Sequence, residues 1–93
     1  MKFPKPARYT DDSYLGWIRR RVCAVSGCRG YLAEPHHITT RGAGGSDHTA
    51  IPLCRKHHSE LHAIGRSRFE EEHGVNLWAI NARILSEYIR EEL

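Results

Sequence analysis

The spacing of apolar residues predicts an amphipathic helix in the first quarter of the chain. Four apolar residues recur there at helical spacing. They are Tyr14, Leu15, Ile18 and Val22. Thr10 or Asp11 is available as the N-cap, so we expect a helix from Asp11 to Arg21.

A second apolar stripe at helical spacing lies near the end of the chain. Its members are Leu77, Ile80, Ile84, Leu85, Tyr88 and Ile89. Asn76 can cap this helix, whose stripe we expect to pack against the first helix and the hairpin. Before it, Ser67 and Glu70 have the spacing of a capping box, which predicts a short helix that closes at Gly74.

Two short segments with strand-compatible residues, 32–39 and 49–53, occupy the middle of the chain. The segment between them, residues 41–47, is too rich in glycine for a helix, so we expect a β-hairpin with a wide, mobile loop. Good helix formers then fill residues 55–63, up to Gly65. The chain is therefore predicted to be an α+β protein in which helices flank a hairpin.

A length of 93 residues suits one domain with a small core. Pro4 and Pro6 among basic residues predict a flexible basic arm at residues 1–9, followed by a single domain at residues 10–93. The formal charge of +3 modestly favours a polyanionic partner. Neither a signal sequence nor a stretch of membrane-span length is present, and we expect a cytoplasmic protein with no membrane partner.

Three cysteines cannot all pair within one chain, which makes metal ligation the better interpretation of them. A turn signal between Cys23 and Cys28 allows their thiolates to meet. If a helix begins near Cys54, that residue and His57 lie about 60° apart on it. The four residues predict a closed tetrahedral zinc site with a structural role. Buried thiols and a surface histidine would not explain two such tight ligand pairs.

The same helix carries a second histidine pair, His58 and His62, about 90° around the helix from the first. This pair can hold another cation with a third ligand from the hairpin, for which His36 is the natural candidate. Adjacent strand residues point to opposite sides, so His37 has another task. A neutral imidazole there could take a proton from water that attacks a phosphodiester. The spacing leaves open whether His36 and His37 exchange these roles.

These residues resemble the HNH, or His-Me finger, nucleases, whose ββα-metal motif would cover residues 22–64. The similar segments are Pro35-His36-His37-Ile38, Gly44-Gly45-Ser46-Asp47 and Pro52-Leu53-Cys54-x2-His57-His58-x3-His62. Within that family they look most like phage recombination-enhancement nucleases and related prophage proteins. The resemblance implies a ββα-metal core with a structural zinc knuckle, in a protein encoded by phage or prophage in a bacterial host.

The resemblance also implies a role for each ligand. The catalytic set is the general base His37 with the metal ligands His36, His58 and His62. The structural zinc ligands are Cys23, Cys28, Cys54 and His57. The family uses magnesium, manganese, zinc or nickel at the catalytic site, and three histidine ligands favour zinc or another transition metal over magnesium.

One part of the family's motif has no counterpart here. Its middle asparagine, which orients the base from the second strand, would fall near Thr49. Asp47 and His48 lie close by in sequence. The sequence therefore does not single out the partner of His37.

Four arginines are candidate contacts for nucleic acid. They are Arg19, Arg20, Arg21 and Arg41. Arg41 lies beside the proposed site and is the best candidate to contact the reacting phosphate, whereas the other three equally suit a solvated helix face. His48 and His73 lack ligand spacing, and we expect both to face solvent. The aromatic residues at helical spacing are expected to serve core or subunit packing: Tyr14, Trp17, Phe69 and Trp78.

Two functions compete on this pattern. The first is a metal-dependent endonuclease that hydrolyses phosphodiester bonds in double-stranded DNA, working with a protein partner in phage recombination or DNA processing. The second is a non-catalytic zinc module that binds DNA or protein, as many small Cys/His domains do. Only the first requires a metal with an open coordination position.

Overall fold

Four helices and a two-stranded antiparallel sheet make up the fold, in a computed structural model that describes residues 8–30 and 32–93. In chain order the elements are α1 (Asp12–Arg19), β1 (Glu34–His37), β2 (Ala50–Leu53), α2 (Arg55–Ile64), α3 (Arg66–His73) and α4 (Leu77–Glu92). The predicted α+β class is confirmed.

Capping side chains fix the N-termini of the first and last helices. Asp11 caps α1, because its carboxylate accepts a hydrogen bond of 3.0 Å from the Tyr14 backbone N–H. Asn76 caps α4 in the same way through the Ala79 N–H. Helix α1 ends at Arg19, two residues earlier than predicted, and Val22 is therefore exposed instead of lying on the apolar face.

The capping box predicted for α3 is wrong. Gly65 occupies the N-cap position, so Ser67 lies within the helix and makes no capping hydrogen bond. The Glu70 carboxylate instead accepts a 2.7 Å hydrogen bond from the Leu77 N–H and links α3 to the start of α4. Gly74 closes α3 with a left-handed φ of +61°, as predicted.

The hairpin is shorter than predicted at both strands. Residue pairing runs from Glu34 opposite Leu53 to His37 opposite Ala50. Leu32, which we expected in β1, has a left-handed φ of +61° and is exposed, so the strand cannot extend back to it. The glycine content of the loop led us to expect no helical structure there. The loop instead contains two single 3-10 turns, Arg41–Ala43 and Asp47–Thr49.

The core lies between the sheet, α1 and α4. Tyr88 of α4 packs edge-on against both Tyr14 and Trp17 of α1, with ring centroids 5.1 Å apart in each case. The predicted α4 stripe is buried except for the half-buried Leu85 and the exposed Ile89. Phe69 is fully buried, as expected of a core aromatic residue, whereas 43% of Trp78 is exposed.

One buried polar residue of α4 attaches the helix to the hairpin. Asn81 is 6% exposed, and its side-chain amide donates a 2.7 Å hydrogen bond to the His48 carbonyl oxygen. A longer contact of 3.4 Å joins the same amide to the Ala50 carbonyl oxygen. The apolar stripe did not indicate this polar anchor, which sets the position of α4 against the site-bearing loop.

Most of the predicted basic arm, residues 1–7, lies outside the described residues. Its last two residues contact the hairpin loop. The Tyr9 carbonyl oxygen accepts a 3.0 Å hydrogen bond from the Asp47 N–H, and Arg8 forms a salt bridge with the Asp47 carboxylate. Within residues 8–30 and 32–93, no helix combines the length and apolarity that a membrane span requires.

Candidate metal centre

The structure brings Cys23, Cys28, Cys54 and His57 into one cluster, in which the ligand atoms lie within 4.8 Å of one another. His57 Nδ1 lies 3.3 Å from Cys54 Sγ and 3.4 Å from Cys23 Sγ, and the Sγ atoms of Cys28 and Cys54 are 4.0 Å apart. Zinc bond lengths place the ligands of a tetrahedral site about 3.6 to 3.8 Å apart. This cluster could hold a metal such as zinc, and all three cysteines are free of disulfides.

Local backbone features position the four ligands. Cys23 and Cys28 flank a turn after α1 in which Gly27 has a φ of +80°. Cys54 is the N-cap residue of α2, and His57 lies one turn further along that helix. Gly30 passes so close that a Cβ atom there would be 2.8 Å from the Cys54 Cβ, so the cluster needs glycine at this position.

The thiols differ in their acidity because their surroundings differ. Burial raises the pKa of Cys23 to about 11, so without a cation this thiol keeps its proton at neutral pH. Burial also acts to raise the pKa of Cys54, but hydrogen bonds from the His57 and Lys56 backbone N–H groups and from the other thiols lower it. Metal binding would therefore release protons from the cluster.

A second group of possible metal ligands consists of His36 on β1 with His58 and His62 on α2, again with ligand atoms within 4.8 Å of one another. The Nε2 atoms of His58 and His62 are 3.1 Å apart. Burial and the neighbouring histidines lower the pKa of His36 to about 4, so its imidazole is neutral at pH 7 and has a lone pair to offer. These three residues form the histidine triad.

Glu34 orients one member of the histidine triad. Its carboxylate lies 2.8 Å from His58 Nδ1, which leaves His58 Nε2 directed at the other two imidazoles. Carboxylates commonly support metal-binding histidines in this way. Glu34 is not among the predicted site residues, although its position two residues before His36 places both on one side of β1.

His37 is not one of the triad's ligands and is hydrogen-bonded to a buried carboxylate. Its Nε2 atom lies 2.9 Å from Asp47 Oδ1, and 9% of the His37 side chain is exposed. Two clefts, of about 250 and 270 Å³, open at the triad. The walls of both include His36, His37 and His62. Asp47 therefore fills the position of the partner that the sequence left undecided.

Asp47 is a strongly anchored anion. Burial acts to raise its pKa, but the Asp11 N–H, the Arg8 guanidinium and the His37 ring outweigh burial and hold the pKa below its ordinary value. The Asp11 N–H lies 2.8 Å from Oδ2, and Arg8 Nη1 lies 2.6 Å from Oδ1. The side chain is ionised across the neutral range.

The predicted nucleic-acid contacts are not equivalent in the structure. Arg41 is exposed beside the histidine triad, and Arg19 and Arg20 are exposed at the end of α1. Arg21 lies 4.5 Å over the Trp17 ring, and both of its terminal nitrogens pair with carboxylates of α4. Of the four, Arg41 alone lies at the triad.

The two histidines expected to face solvent are half-buried and hydrogen-bonded, so that expectation is wrong. His48 Nε2 lies 2.8 Å from the Asp11 carboxylate and its ring contacts Tyr14. His73 pairs with Glu60. Neither belongs to a group of possible metal ligands within the described residues.

Comparison with known proteins places the chain in a family. A family described as "Protein of unknown function (DUF968)" matches residues 1–89. The chain belongs to the DUF968 family. An Escherichia coli (strain K12) relative called "Uncharacterized protein YdfU" is 40% identical over 83 residues, which cover 83% of this DUF968 chain and 23% of the relative. The chain thus spans less than a quarter of that relative's length, and no solved structure matches it significantly.

Proposed function

We propose that this chain is a metal-dependent DNA endonuclease of the HNH type, built on a ββα-metal core. One observation carries the proposal: the histidine triad converges from β1 and α2 directly beside His37, which a buried carboxylate holds in place. The hairpin and α2 occupy the order expected of a ββα-metal motif. The proposed substrate is double-stranded DNA, with a protein partner in phage recombination or DNA processing.

The two ligand groups suit different tasks. The Cys3His cluster offers four protein ligands, which complete a tetrahedral zinc shell and leave no position for substrate. The histidine triad offers three and includes the exposed His62, so a phosphate and water can reach it. Its nitrogen ligands favour zinc, manganese or nickel over magnesium. A cation bound there would stabilise negative charge on the reacting phosphate.

His37 is the proposed general base, acting through Nδ1. An ionised Asp47 carboxylate can only accept hydrogen bonds, so His37 Nε2 carries the proton that it donates to Asp47. The Nδ1 lone pair is then available to take a proton from water. As the water oxygen forms its bond to phosphorus, the bond to the leaving sugar oxygen breaks, and that oxygen takes up a proton from solvent.

Plasmid nicking tests the proposal. Purified wild-type protein, His37→Ala and His48→Ala are incubated with supercoiled plasmid and added Mg²⁺, Mn²⁺, Ni²⁺ or Zn²⁺. We expect wild type to nick, His37→Ala to lose about 100-fold or more of the rate, and His48→Ala to retain activity because its ring lies outside the triad.

Two outcomes would contradict the proposal. Equal nicking by wild type and His37→Ala would remove His37 from the mechanism. No nicking by wild type with any of the four cations would support the non-catalytic zinc module instead.

A further inference from the structure

Two neighbouring clefts share a wall at the histidine triad, and together they are called the groove. Their common wall contains His36, His37, Thr40 and His62. The first cleft, of about 250 Å³, continues to Arg66 at the start of α3. The second, of about 270 Å³, continues to Arg41 in the hairpin loop. Each cleft therefore joins the wall around His36 and His62 to one arginine that the other cleft lacks.

Both guanidiniums are available to a ligand. Arg41 and Arg66 are exposed, and in the described part of the chain neither has a carboxylate within salt-bridge distance. Arg68, two residues further along α3, differs because it pairs with Glu72 at 3.1 Å. An unpaired guanidinium can bind a phosphate through two parallel hydrogen bonds without first giving up a carboxylate partner.

We propose that Arg41 and Arg66 bind the phosphates on either side of the scissile one, so that the groove takes a continuous DNA strand. This moves Arg41 from the reacting phosphate, the contact expected from the sequence, to a neighbouring phosphate. This inference rests on the proposed function for which phosphate is cleaved. Binding of a DNA strand by Arg41 and Arg66 does not depend on cleavage. A phosphodiester with no flanking phosphates reaches the triad and contacts neither guanidinium. The natural substrate is therefore an internal position of a strand, and Arg66 becomes a substrate-binding residue that the spacing of motifs did not indicate.

Salt dependence of DNA binding tests the groove without any cleavage. Binding of a fluorescein-labelled duplex to the full chain, with its zinc and without added divalent cation, is measured between about 50 and 200 mM NaCl. Each neutralised phosphate contributes about 0.9 to the slope of log affinity against log salt. We expect Arg41→Gln and Arg66→Gln each to lower the slope by about 0.9, their double variant to lower it by about 1.8, and Arg68→Gln to leave it unchanged.

A salt-dependence slope for Arg66→Gln equal to that of wild type would overturn the groove. A decrease in slope for Arg68→Gln as large as that for Arg66→Gln would also overturn it, as would a failure of wild type to bind DNA. Circular dichroism of each variant separates lost binding from lost folding.

Cleavage then separates this inference from the proposed function. With plasmid and with bis(p-nitrophenyl) phosphate as substrates, we expect Arg66→Gln to lose at least about fivefold more kcat/KM on plasmid than on the small diester. Equal losses on both substrates would mean that Arg66 supports the catalytic centre and not the flanking strand. If the slopes change as expected while no variant or wild type cleaves, the groove stands and the nuclease proposal fails. If cleavage occurs with unchanged slopes, the nuclease proposal stands and the groove fails.

Discussion

Asp47 Oδ1 lies 2.9 Å from His37 Nε2, although the two residues are ten positions apart at opposite ends of the hairpin loop. The same carboxylate accepts hydrogen bonds from Arg8 and from the Asp11 N–H. One buried charge therefore joins the loop, the segment before α1 and the proposed base. The orientation of His37 therefore depends on Asp47 and on the Arg8 and Asp11 contacts that hold Asp47 in place.

Replacement of Asp47 by asparagine tests this anchor through pH. The folded state lowers the pKa of Asp47, so its stabilisation is present above the unfolded value of about 3.9 and is lost as pH falls through the folded pKa. We expect Asp47→Asn to cost about 2 kcal/mol at neutral pH, with the difference from wild type shrinking below about pH 4. Urea unfolding between pH 7 and about pH 3 measures it.

The matched control is Asp12→Asn, because Asp12 is an exposed carboxylate in the first turn of α1. It should cost less than about 0.5 kcal/mol. A cost for Asp47→Asn that stays constant down to the lowest pH would show that shape, and not charge, holds the loop.

Loss of one thiol should abolish metal binding by the Cys3His cluster. Cys28→Ser removes one of four ligands whose separations fit a tetrahedral site, so we expect bound zinc to fall by one ion per chain and the melting temperature to drop. Elemental analysis and thermal unfolding measure both. Ser26→Ala in the same turn changes an exposed side chain and should alter neither quantity. Unchanged zinc content in Cys28→Ser would place the metal elsewhere.

Loss of His62 should weaken cation binding at the histidine triad without unfolding the protein. His62 is exposed, so His62→Ala leaves the core and the Cys3His cluster intact while removing one of three ligands. We expect Ni²⁺ affinity by calorimetry to fall at least about tenfold, with the melting temperature of the cation-free protein preserved. Ser59→Ala, exposed on the same helix, is the control. Wild-type affinity in His62→Ala would remove His62 from the site.

Alanine substitutions at two loop glycines should have different effects on stability. A Cβ atom at Gly45 would lie 1.8 Å from the Thr39 carbonyl oxygen, whereas one at Gly42 meets nothing within 4 Å. Gly45→Ala must therefore shift the loop that carries Asp47, and we expect it to cost about 2 kcal/mol or more and to reduce plasmid nicking. Gly42→Ala should change stability by less than about 0.5 kcal/mol. Similar unfolding curves for the two variants would contradict the close backbone approach.

The local sequence was sufficient for the four helices, the hairpin and the grouping of ligands, but not for the start of α3 or the 3-10 turns of the loop. Helical spacing counted from Cys54, the N-cap of α2, separates Cys54 and His57 from His58 and His62, and the structure groups these pairs with different partners. The caps at Asp11 and Asn76 are likewise local, because a capping side chain bonds to a backbone N–H three residues away.

Only the tertiary structure decided what surrounds those ligands. Asp47 meets His37, Glu34 meets His58, and Asn81 meets the His48 carbonyl oxygen through contacts that span 10 to 33 positions. No periodicity predicts such pairs, because each depends on how the loop and helices pack. A buried polar group needs a hydrogen-bond partner, and the packing of the core decides which distant residue lies within reach of it.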